Sequence, residues 1–263
     1  MKTKFNKLWR KDLALTKVVS ALESDGSQVY LVGGCVRNLI LGKKIRDIDL
    51  ATELLPDEVI RKAETNGFGV VLTGRSHGTV TILYSGRKFE VTTFRQDTKT
   101  DGRKAEVAFT SNIQLDARRR DFTMNSIYMK LNGEIIDPLD ALSDLLSKKV
   151  RFIGDPLERI KEDRLRILRY FRFRAEFSLS SDLVDVEVRK AIFQQRSRIK
   201  FLSKERIWVE VSRILLAPKP QETFESLVEM KLLEEVFPKI DIEALKKVVQ
   251  LEEFYSIEPS LLN

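Results

Sequence analysis

Two aspartates in the segment RDIDLAT (46–52) have the type and spacing to bind a metal ion. Asp47 and Asp49 are separated by one residue, so on a β-strand both side chains would point to the same face. Two carboxylates on one face repel each other unless a cation lies between them. The chain has one histidine and one cysteine, which leaves carboxylates as the ligands and favours Mg²⁺ over zinc. An exposed acidic pair at a strand end would show the same pattern.

A glycine turn precedes this acidic pair. Gly33 and Gly34 follow the apolar run QVYLV (28–32) and would let the backbone approach a ligand closely. The N–H groups at the start of the next helix favour an anion, and Arg37, one turn into that helix, is placed to reach a phosphate. Each motif alone is a weak signal, but the two in this order and spacing are far more specific.

Short strands and helices must position these residues. Alternating apolar residues predict strands at 28–32, 47–52, 70–73, 79–84 and 88–94, with a hairpin turn at Ser85-Gly86. Helices are predicted to begin near Val36 and Pro56, and the polar segment 96–111 is predicted to be a mobile loop. After about Val150 the spacing becomes helical, over 156–177, 182–199, 203–216 and 221–237. The predicted fold class is α+β, with a small mixed β-sheet and helices followed by an all-α part.

The composition excludes several classes of protein. The 263 residues include 46 Lys and Arg against 39 Asp and Glu, a formal net charge of +7 that weakly indicates a polyanionic partner. A single cysteine excludes a disulfide framework and is consistent with a reducing compartment, so we expect a cytoplasmic protein. No apolar run approaches the roughly 18 residues of a membrane span, and residues 1–17 lack the apolar core of a secretory signal. No membrane partner is therefore expected.

The glycine turn and the aspartates are part of a longer resemblance. LVGGCVRNLILGK (31–43) followed by RDIDLAT resembles the active-site head of the polymerase β-type nucleotidyltransferase superfamily. More narrowly, it resembles the class II tRNA CCA-adding enzymes and the bacterial poly(A) polymerases. Further blocks resemble the family's third strand, flexible loop, RRDFTxN block, nucleotide-reading helix and weaker helical features: KFEVTTFR (88–95), DGRK (101–104), RRRDFTMNSI (118–127), EDRLRILRYFRF (162–173), LSKERI (202–207) and KLLEEVFP (231–238). The resemblance covers about residues 29–238.

The resemblance implies an enzyme, a template-independent RNA nucleotidyltransferase. It would add CCA, or part of it, to the 3′ acceptor end of tRNA from CTP and ATP, with Mg²⁺ as cofactor. The implied organisation is a catalytic head at 1–150, a helical neck that reads the nucleotide at 151–216, and the start of a shortened helical body that supports RNA at 217–263. Asn38 departs from the family pattern, which usually has Asp there.

The resemblance also assigns roles in the head. Asp47 and Asp49 would be metal ligands and catalytic residues, and Glu90 a third catalytic carboxylate that could instead pair with Arg87 or Arg95. Gly33, Gly34 and Arg37 would hold the triphosphate. Arg118 and Arg119 fit an ordinary solvated basic face, whereas Arg120 directly precedes Asp121 and matches an arginine that contacts nucleotide in the family.

In the helical part, Asp163 and Arg166 are expected on one helix face at positions i and i+3. They could form a simple intrahelical salt bridge, or they could bind the edges of cytosine and adenine. Arg169 continues the same spacing, and Arg172 is included as a nucleotide-binding residue on the resemblance alone. Ile167, Leu168 and Phe171 form the apolar stripe expected in the core.

Two alternative functions are also consistent with the sequence. Within the family, the chain could be an A-adding enzyme, a CC-adding enzyme or a poly(A) polymerase, because these share the head motifs. From a different class, it could be a catalytically idle RNA-binding module. The retention of both Asp47 and Asp49 argues against an idle module, because an inactive site has no reason to keep clustered carboxylates.

Overall fold

The computed structural model describes residues 9, 11–74, 77–101, 104–177, 184–236 and 241–261. The chain divides into two compact units: residues 1–100 with 104–153, and residues 154–263 with the short segment 101–103. The first unit combines β-strands with helices, and residues 154–263 of the second unit form helices and their connections where they are described. The predicted α+β class is confirmed, while the head, neck and body boundaries stay predictions.

The described elements of the first unit are short. The strands are β1 (Val29–Val32), β2 (Asp49–Thr52), β3 (Gly69–Gly74), β4 (Thr79–Tyr84), β5 (Arg87–Thr93), β6 (Arg95–Asp101), β7 (Lys104–Phe109), β8 (Tyr128–Met129) and β9 (Ile135–Ile136). The helices are α1 (Leu13–Leu22), α2 (Gly34–Ile40), α3 (Pro56–Thr65), α4 (Ile113–Arg118) and α5 (Leu142–Leu146), with a 3-10 turn at Thr123–Asn125.

Seven strands form one sheet in the order β3-β4-β5-β2-β1-β8-β9. β2 and β5 are parallel, whereas the other paired neighbours are antiparallel, so the sheet is mixed as predicted. Leu31, Leu50 and Val91 lie side by side on β1, β2 and β5 and are almost completely buried. Because side chains alternate along a strand, this apolar row faces away from Asp49.

The predicted loop at 96–111 is wrong over most of its length. β6 and β7 form a separate two-stranded sheet, with residues 102 and 103 outside the described residues. A half-buried strand alternates apolar and polar residues. Most of this segment is polar and lacks that alternation, so its composition indicated a loop. A two-stranded ribbon does not need that alternation when its backbone groups pair with each other.

The second unit has described helices α6 (Pro156–Glu162), α7 (Leu165–Glu176), α8 (Val186–Gln195), α9 (Lys204–Leu215), α10 (Pro220–Glu229), α11 (Leu233–Val236) and α12 (Ile242–Phe254), with a 3-10 helix at Arg196–Phe201. The single helix predicted over 156–177 is interrupted, because Asp163 adopts an extended backbone, φ −150° and ψ 108°, between α6 and α7. Lys231, at φ 54°, separates α10 from α11 within the segment predicted as one helix. The expected core stripe of Ile167, Leu168 and Phe171 is buried.

The last described helix exposes several apolar and aromatic side chains. On α12 and just beyond it, Val248, Leu251, Phe254 and Tyr255 are exposed apolar or aromatic side chains. Val248, Leu251 and Tyr255 follow the i, i+3, i+7 spacing of one helix face. Among the helices of the described residues, none combines the length and hydropathy needed to cross a bilayer.

The central strand β2 generates a stability prediction. Leu50→Ala should lower the free energy of unfolding by about 2–5 kcal/mol, because it leaves a cavity in a closed apolar layer. Urea denaturation of variant and wild type measures this change. Leu13→Ala is the control, since the Leu13 side chain is largely exposed and its removal should change stability by about 0.5 kcal/mol or less. Equal losses in the two variants would contradict the assigned faces of β2.

Candidate active site

The two aspartates lie at the start of β2. Asp49 is the first residue of the strand, whereas Asp47 lies in the segment before it, so the prediction that both are strand residues is wrong for Asp47. The cause is the register with β1, in which the last residue, Val32, is directly opposite Asp49. The chain turns away at Gly33, and Asp47 therefore has no partner on β1. Asp47 is exposed and Asp49 is half-buried.

A row of paired residues crosses the sheet at this point. Glu90 on β5 pairs in parallel register with Asp49, Asp49 pairs with Val32, and Val32 pairs with Tyr128 on β8. Directly paired residues on neighbouring strands point to the same face of a sheet, about 5 Å apart. The carboxylates of Asp49 and Glu90 are thus held side by side by backbone pairing.

Arg87 and Arg95, the two other candidate partners of Glu90, contact other groups. Arg87 forms a salt bridge with Asp12, with 2.6 Å between Nη1 and Oδ1. Arg95 donates from Nη1 to the carbonyl oxygen of His77. Within the described residues Glu90 forms no ion pair with either arginine, and its side chain is exposed. Its carboxylate is therefore open to a ligand beside Asp49.

The crowding of carboxylates changes the acidity of Asp49. Burial is the largest cause that raises the pKa of Asp49 to about 6, and the neighbouring charges of Glu90 and Asp47 raise it further. Arg120 acts in the opposite direction. A cation bound between these carboxylates would favour their ionised forms. The charge distribution therefore suits a metal ion.

The donor types also suit Mg²⁺. No three Asp, Glu, His or Cys side chains among the described residues come close enough together to form a complete metal site on their own. Mg²⁺ is usually held by one or two carboxylates, while water and substrate phosphates supply its other ligands. Asp47 and Asp49 fit a shared site of that kind.

The glycine turn brings two arginines close to the backbone. Gly33 has φ 70° and ψ −127°, a conformation that strongly favours glycine. A Cβ at Gly33 would lie 3.8 Å from Nη1 of Arg120, and a Cβ at Gly34 would lie 3.9 Å from Nη2 of Arg37. Two guanidinium groups therefore flank the turn that precedes α2.

Amide side chains hold Arg37 in place. Nη1 of Arg37 donates to Oδ1 of Asn125 at 2.7 Å. Nε and Nη2 both donate to Oδ1 of Asn38, at 3.1 and 3.0 Å. Asn38 in turn donates from Nδ2 to the carbonyl oxygen of Lys44 at 3.0 Å. Asn38, where the family usually has Asp, thus contacts the motif arginine directly and links it to the segment before Asp47.

Arg120 is held by two groups that sequence reasoning missed. Nη2 of Arg120 donates to Oδ2 of Asp116 at 2.9 Å, and Nε donates to the hydroxyl of Tyr128 at 3.1 Å. Its guanidinium carbon lies 5.1 Å from the centre of the Tyr128 ring. The i, i+4 spacing of Asp116 and Arg120 was a usable signal for their pairing, whereas the approach of Tyr128 depends on strand order.

In the helical unit, the expected helix face of Asp163 and Arg166 is not formed. Asp163 lies between α6 and α7, where its Oδ1 accepts from the N–H of Leu165 and its Oδ2 from Nη2 of Arg206 at 2.7 Å. Arg166 donates from Nη1 to Glu162 and to the carbonyl oxygen of Arg159. The intrahelical salt bridge between Asp163 and Arg166 is therefore absent from this described segment.

The next two arginines share one buried acid. Nε of Arg172 lies 2.8 Å from Oε2 of Glu210, and Nη1 of Arg169 lies 3.6 Å from Oε1 of the same residue. Arg172 is 4% exposed and also faces Glu176. Burial lowers the pKa of Arg172 to about 10, although Glu210 and Glu176 oppose the shift. Glu210 thus connects Arg172 to Arg169, whose side chain is partly exposed.

Two regions of the chain match known family models. Residues 29–151 match the family described as "Poly A polymerase head domain". Residues 184–243 match "Probable RNA and SrmB- binding site of polymerase A".

Among curated relatives, "CCA tRNA nucleotidyltransferase 1, mitochondrial" of Danio rerio is 36% identical over 248 residues, 93% of this chain and 58% of the relative. The "CCA-adding enzyme" of Oceanobacillus iheyensis is 36% identical over 226 residues, 85% of this chain and 55% of the relative. The chain therefore spans little more than half the length of these relatives.

Solved structures give the same assignment. The Bacillus stearothermophilus CCA-adding enzyme in complex with CTP matches with TM-score 0.72 and 33% identity, over 82% of this chain and 51% of that one. A tRNA nucleotidyltransferase in complex with a primer tRNA and an incoming ATP analog matches with TM-score 0.73 and 25% identity, over 93% of this chain and 71% of that one. Residues 29–151 therefore belong to the poly(A) polymerase head-domain family and residues 184–243 to the RNA-binding region of polymerase A, and the chain is similar to CCA-adding enzymes over most of its length.

Proposed function

We propose that this chain adds CCA, or part of it, to the 3′ end of tRNA from CTP and ATP without a nucleic-acid template. One observation carries the proposal: the carboxylates of Asp49 and Glu90 are paired across neighbouring strands, beside the glycine turn flanked by Arg37 and Arg120. The relatives' names and the solved complexes with CTP, and with primer tRNA and an ATP analog, support the same substrates.

The proposed reaction is a displacement at phosphorus. The 3′-hydroxyl oxygen of the RNA bonds to the α-phosphorus of the nucleoside triphosphate and its proton passes to solvent. The bond from the α-phosphorus to the oxygen that bridges it to the β-phosphate breaks, and pyrophosphate leaves with that oxygen. Asp47 and Asp49 would hold Mg²⁺, and Glu90 lies beside Asp49 as the third carboxylate. When bound, Mg²⁺ would stabilise the attacking and leaving oxygens.

The residues around the glycine turn would orient the triphosphate. The backbone at Gly33 and Gly34 leaves room for phosphate oxygens because neither residue carries a Cβ. Arg37 is buried and fixed by Asn38 and Asn125, so its guanidinium loses little freedom when it binds an anion. Arg120 would contribute the second positive charge on the same turn.

The helical unit would supply the groups that select the base. Cytosine and adenine both present an amino donor beside a ring-nitrogen acceptor, which suits a carboxylate beside a guanidinium. Uracil and guanine present the opposite order and would leave both protein groups unpaired. Asp163 is half-buried, and each of its oxygens retains a second acceptor site. Among described residues, Arg166 uses only Nη1 in its contacts.

Arg169 and Arg172 would act together in this selection. Glu210 joins them, so Arg172 would orient the partly exposed Arg169 and would not itself contact a base.

As for location, the cytoplasm remains our expectation from the cysteine content, while the vertebrate relatives are named as mitochondrial.

One experiment tests the activity and separates it from the alternatives. The chain is incubated with tRNA lacking its 3′ terminus, labelled CTP and ATP, and Mg²⁺, and the products are sequenced. CCA, CC, A or poly(A) ends identify the four activities of the family. No extension with any nucleotide, while the tRNA is still bound, would instead identify an idle RNA-binding module.

The carboxylate assignment predicts that Asp47→Ala and Asp49→Ala each abolish nucleotide addition, because Mg²⁺ loses a ligand. Their circular dichroism and urea midpoint should stay close to wild type, since removing a charge from a repelling cluster rarely destabilises a fold. Glu64→Ala, an exposed acid on α3, is the control and should keep full activity. Near-normal turnover of either aspartate variant with Mg²⁺ would refute the assignment.

The base-selection assignment predicts a change in specificity. Asp163→Ala should still bind triphosphate through the head but should incorporate UTP and GTP more readily, and Arg166→Ala should do the same with a larger loss of rate. Competition of all four nucleotides on one primer measures both. Glu158→Ala is the matched control, because it removes an exposed acid of α6 that pairs with the exposed Lys161. If both test variants keep the C and A preference, these side chains only stabilise the helical unit.

RNA affinity should depend strongly on salt. Arg198, Lys200 and Lys204 are exposed basic side chains within the matched RNA-binding region, whereas residues 99–104, the other basic cluster of the sequence, have no described side chains. The logarithm of the affinity for a minihelix of acceptor and T arms should fall linearly with the logarithm of salt concentration. Arg198→Ala or Lys200→Ala should each reduce that slope by about 1, because one phosphate is then no longer neutralised.

The control for this measurement is Lys190→Ala, because Lys190 is exposed on α8 and pairs with Glu187. Its salt slope should equal that of the wild type. Slopes that are unchanged in Arg198→Ala and Lys200→Ala as well would show that these residues do not bind the RNA.

A further inference from the structure

Asp116 on α4 is a buried carboxylate with no assigned role. Its side chain is fully buried, and its oxygens accept four hydrogen bonds. Oδ2 accepts from Nη2 of Arg120 at 2.9 Å and from the hydroxyl of Tyr128 at 2.6 Å. Oδ1 accepts from Nε of Arg119 at 2.7 Å and from the N–H of Arg95 at 3.3 Å. Four bonds match the capacity of an ionised carboxylate.

The bonding of Asp116 keeps it ionised and keeps Tyr128 neutral. Burial would raise the pKa of Asp116, but Arg120, Arg119 and Tyr128 together hold this pKa below its usual value. Burial is also the main cause that raises the pKa of Tyr128 well above its usual value. The phenol therefore stays protonated and donates to Asp116, while its oxygen accepts from Nε of Arg120.

These bonds orient Arg120 towards the glycine turn. Nη2 and Nε are directed to Asp116 and Tyr128, and the ring of Tyr128 lies against the guanidinium. Nη1 is the nitrogen nearest to the Cβ position of Gly33, at 3.8 Å. Arg119 and Arg120 share the one carboxylate of Asp116, so Asp116 alone does not neutralise both guanidinium groups. Arg120 also acts electrostatically on Asp49, which follows the turn in the sequence.

The strand order explains why this cluster forms here. Tyr128 pairs directly with Val32, the residue that precedes Gly33. The same pairing that ends β1 at the turn therefore places the hydroxyl that holds Arg120. Tyr128 also packs edge-on against Tyr30 and Phe94, with ring centres 6.2 Å apart in both pairs, which fixes the ring itself.

From these contacts we infer that Asp116 and Tyr128 are positioning residues, which aim Nη1 of Arg120 at the phosphate oxygens of the nucleoside triphosphate bound at the Gly33 turn. The inference rests on the proposed nucleotidyltransferase function. It adds a specific division of work: Arg120 contacts the substrate, and the pair of Asp116 and Tyr128 determines where that contact falls. Neither residue touches the substrate itself.

The test is a double-mutant cycle between Tyr128→Phe and Arg120→Ala. In the wild-type background, Tyr128→Phe removes one hydroxyl and keeps the ring, and should lower kcat/KM for ATP and CTP about tenfold. In the Arg120→Ala background it should have no further effect on kcat/KM, because the guanidinium that it positions is gone. The shift of the urea midpoint caused by Tyr128→Phe is measured in both backgrounds to separate stability from positioning.

Two further variants complete the design. Asp116→Asn, which replaces one acceptor oxygen by a donor, should lower kcat/KM more than Tyr128→Phe does, and it too should lose its effect beside Arg120→Ala. Tyr30→Phe is the control from the same aromatic group and should leave kcat/KM unchanged. If Asp116→Asn does not fold, the Tyr128→Phe cycle still decides the question.

The outcomes separate the positioning role from the proposed function. Effects of Tyr128→Phe that multiply with those of Arg120→Ala, or no effect in either background, would overturn the positioning role while wild-type addition remains intact. Isothermal titration with ATP in the absence of RNA gives the second readout, since positioning predicts weaker ATP binding by Tyr128→Phe. Wild-type protein that neither binds ATP nor extends tRNA would overturn the proposed function itself, and the positioning role with it.

Discussion

Carboxylates that are forced together on one face of a sheet are the constraint around which the head unit is built. The parallel pairing of β2 with β5 places Asp49 beside Glu90, and the backbone hydrogen bonds of those strands hold the repelling groups in register. Cations relieve such repulsion, and the described residues supply one from Arg120. The buried carboxylate of Asp116 then has to fix that arginine. Arg120 thus balances part of the negative charge of Asp49 and Glu90, and Asp116 in turn balances part of the positive charge of Arg120.

The sequence was informative where function depends on a short local motif. Gly33 needs a backbone conformation that only glycine adopts easily, so its role could be anticipated from the residue type. The acidic spacing of Asp47 and Asp49 was equally local, as was most of the strand pattern of the head. These motifs also carried the family resemblance, which the comparisons confirmed over both the head and the helical region.

The sequence was misleading where neighbours distant along the chain decide the geometry. The end of β1 opposite Asp49 leaves Asp47 outside the strand, and no pattern in the segment itself reveals this. Helical spacing continues through Asp163, yet that residue leaves the helix to accept from the N–H of Leu165 and to pair with Arg206. Tyr128 approaches Arg120 only because β8 pairs with β1. Register and long-range pairing are not local properties.

The exposed apolar face of α12 has a consequence for how the chain behaves in solution. Its net charge of +7 keeps molecules apart at low ionic strength, but about 0.15 M salt screens such repulsion beyond roughly 8 Å. Association between copies of the chain is then favoured, because salts excluded from protein surfaces strengthen apolar contacts. The side chains available for such contacts are the exposed Val248, Leu251, Phe254 and Tyr255. Salt that detaches the chain from a polyanion therefore also promotes its self-association, and colloidal stability should be greatest at low ionic strength.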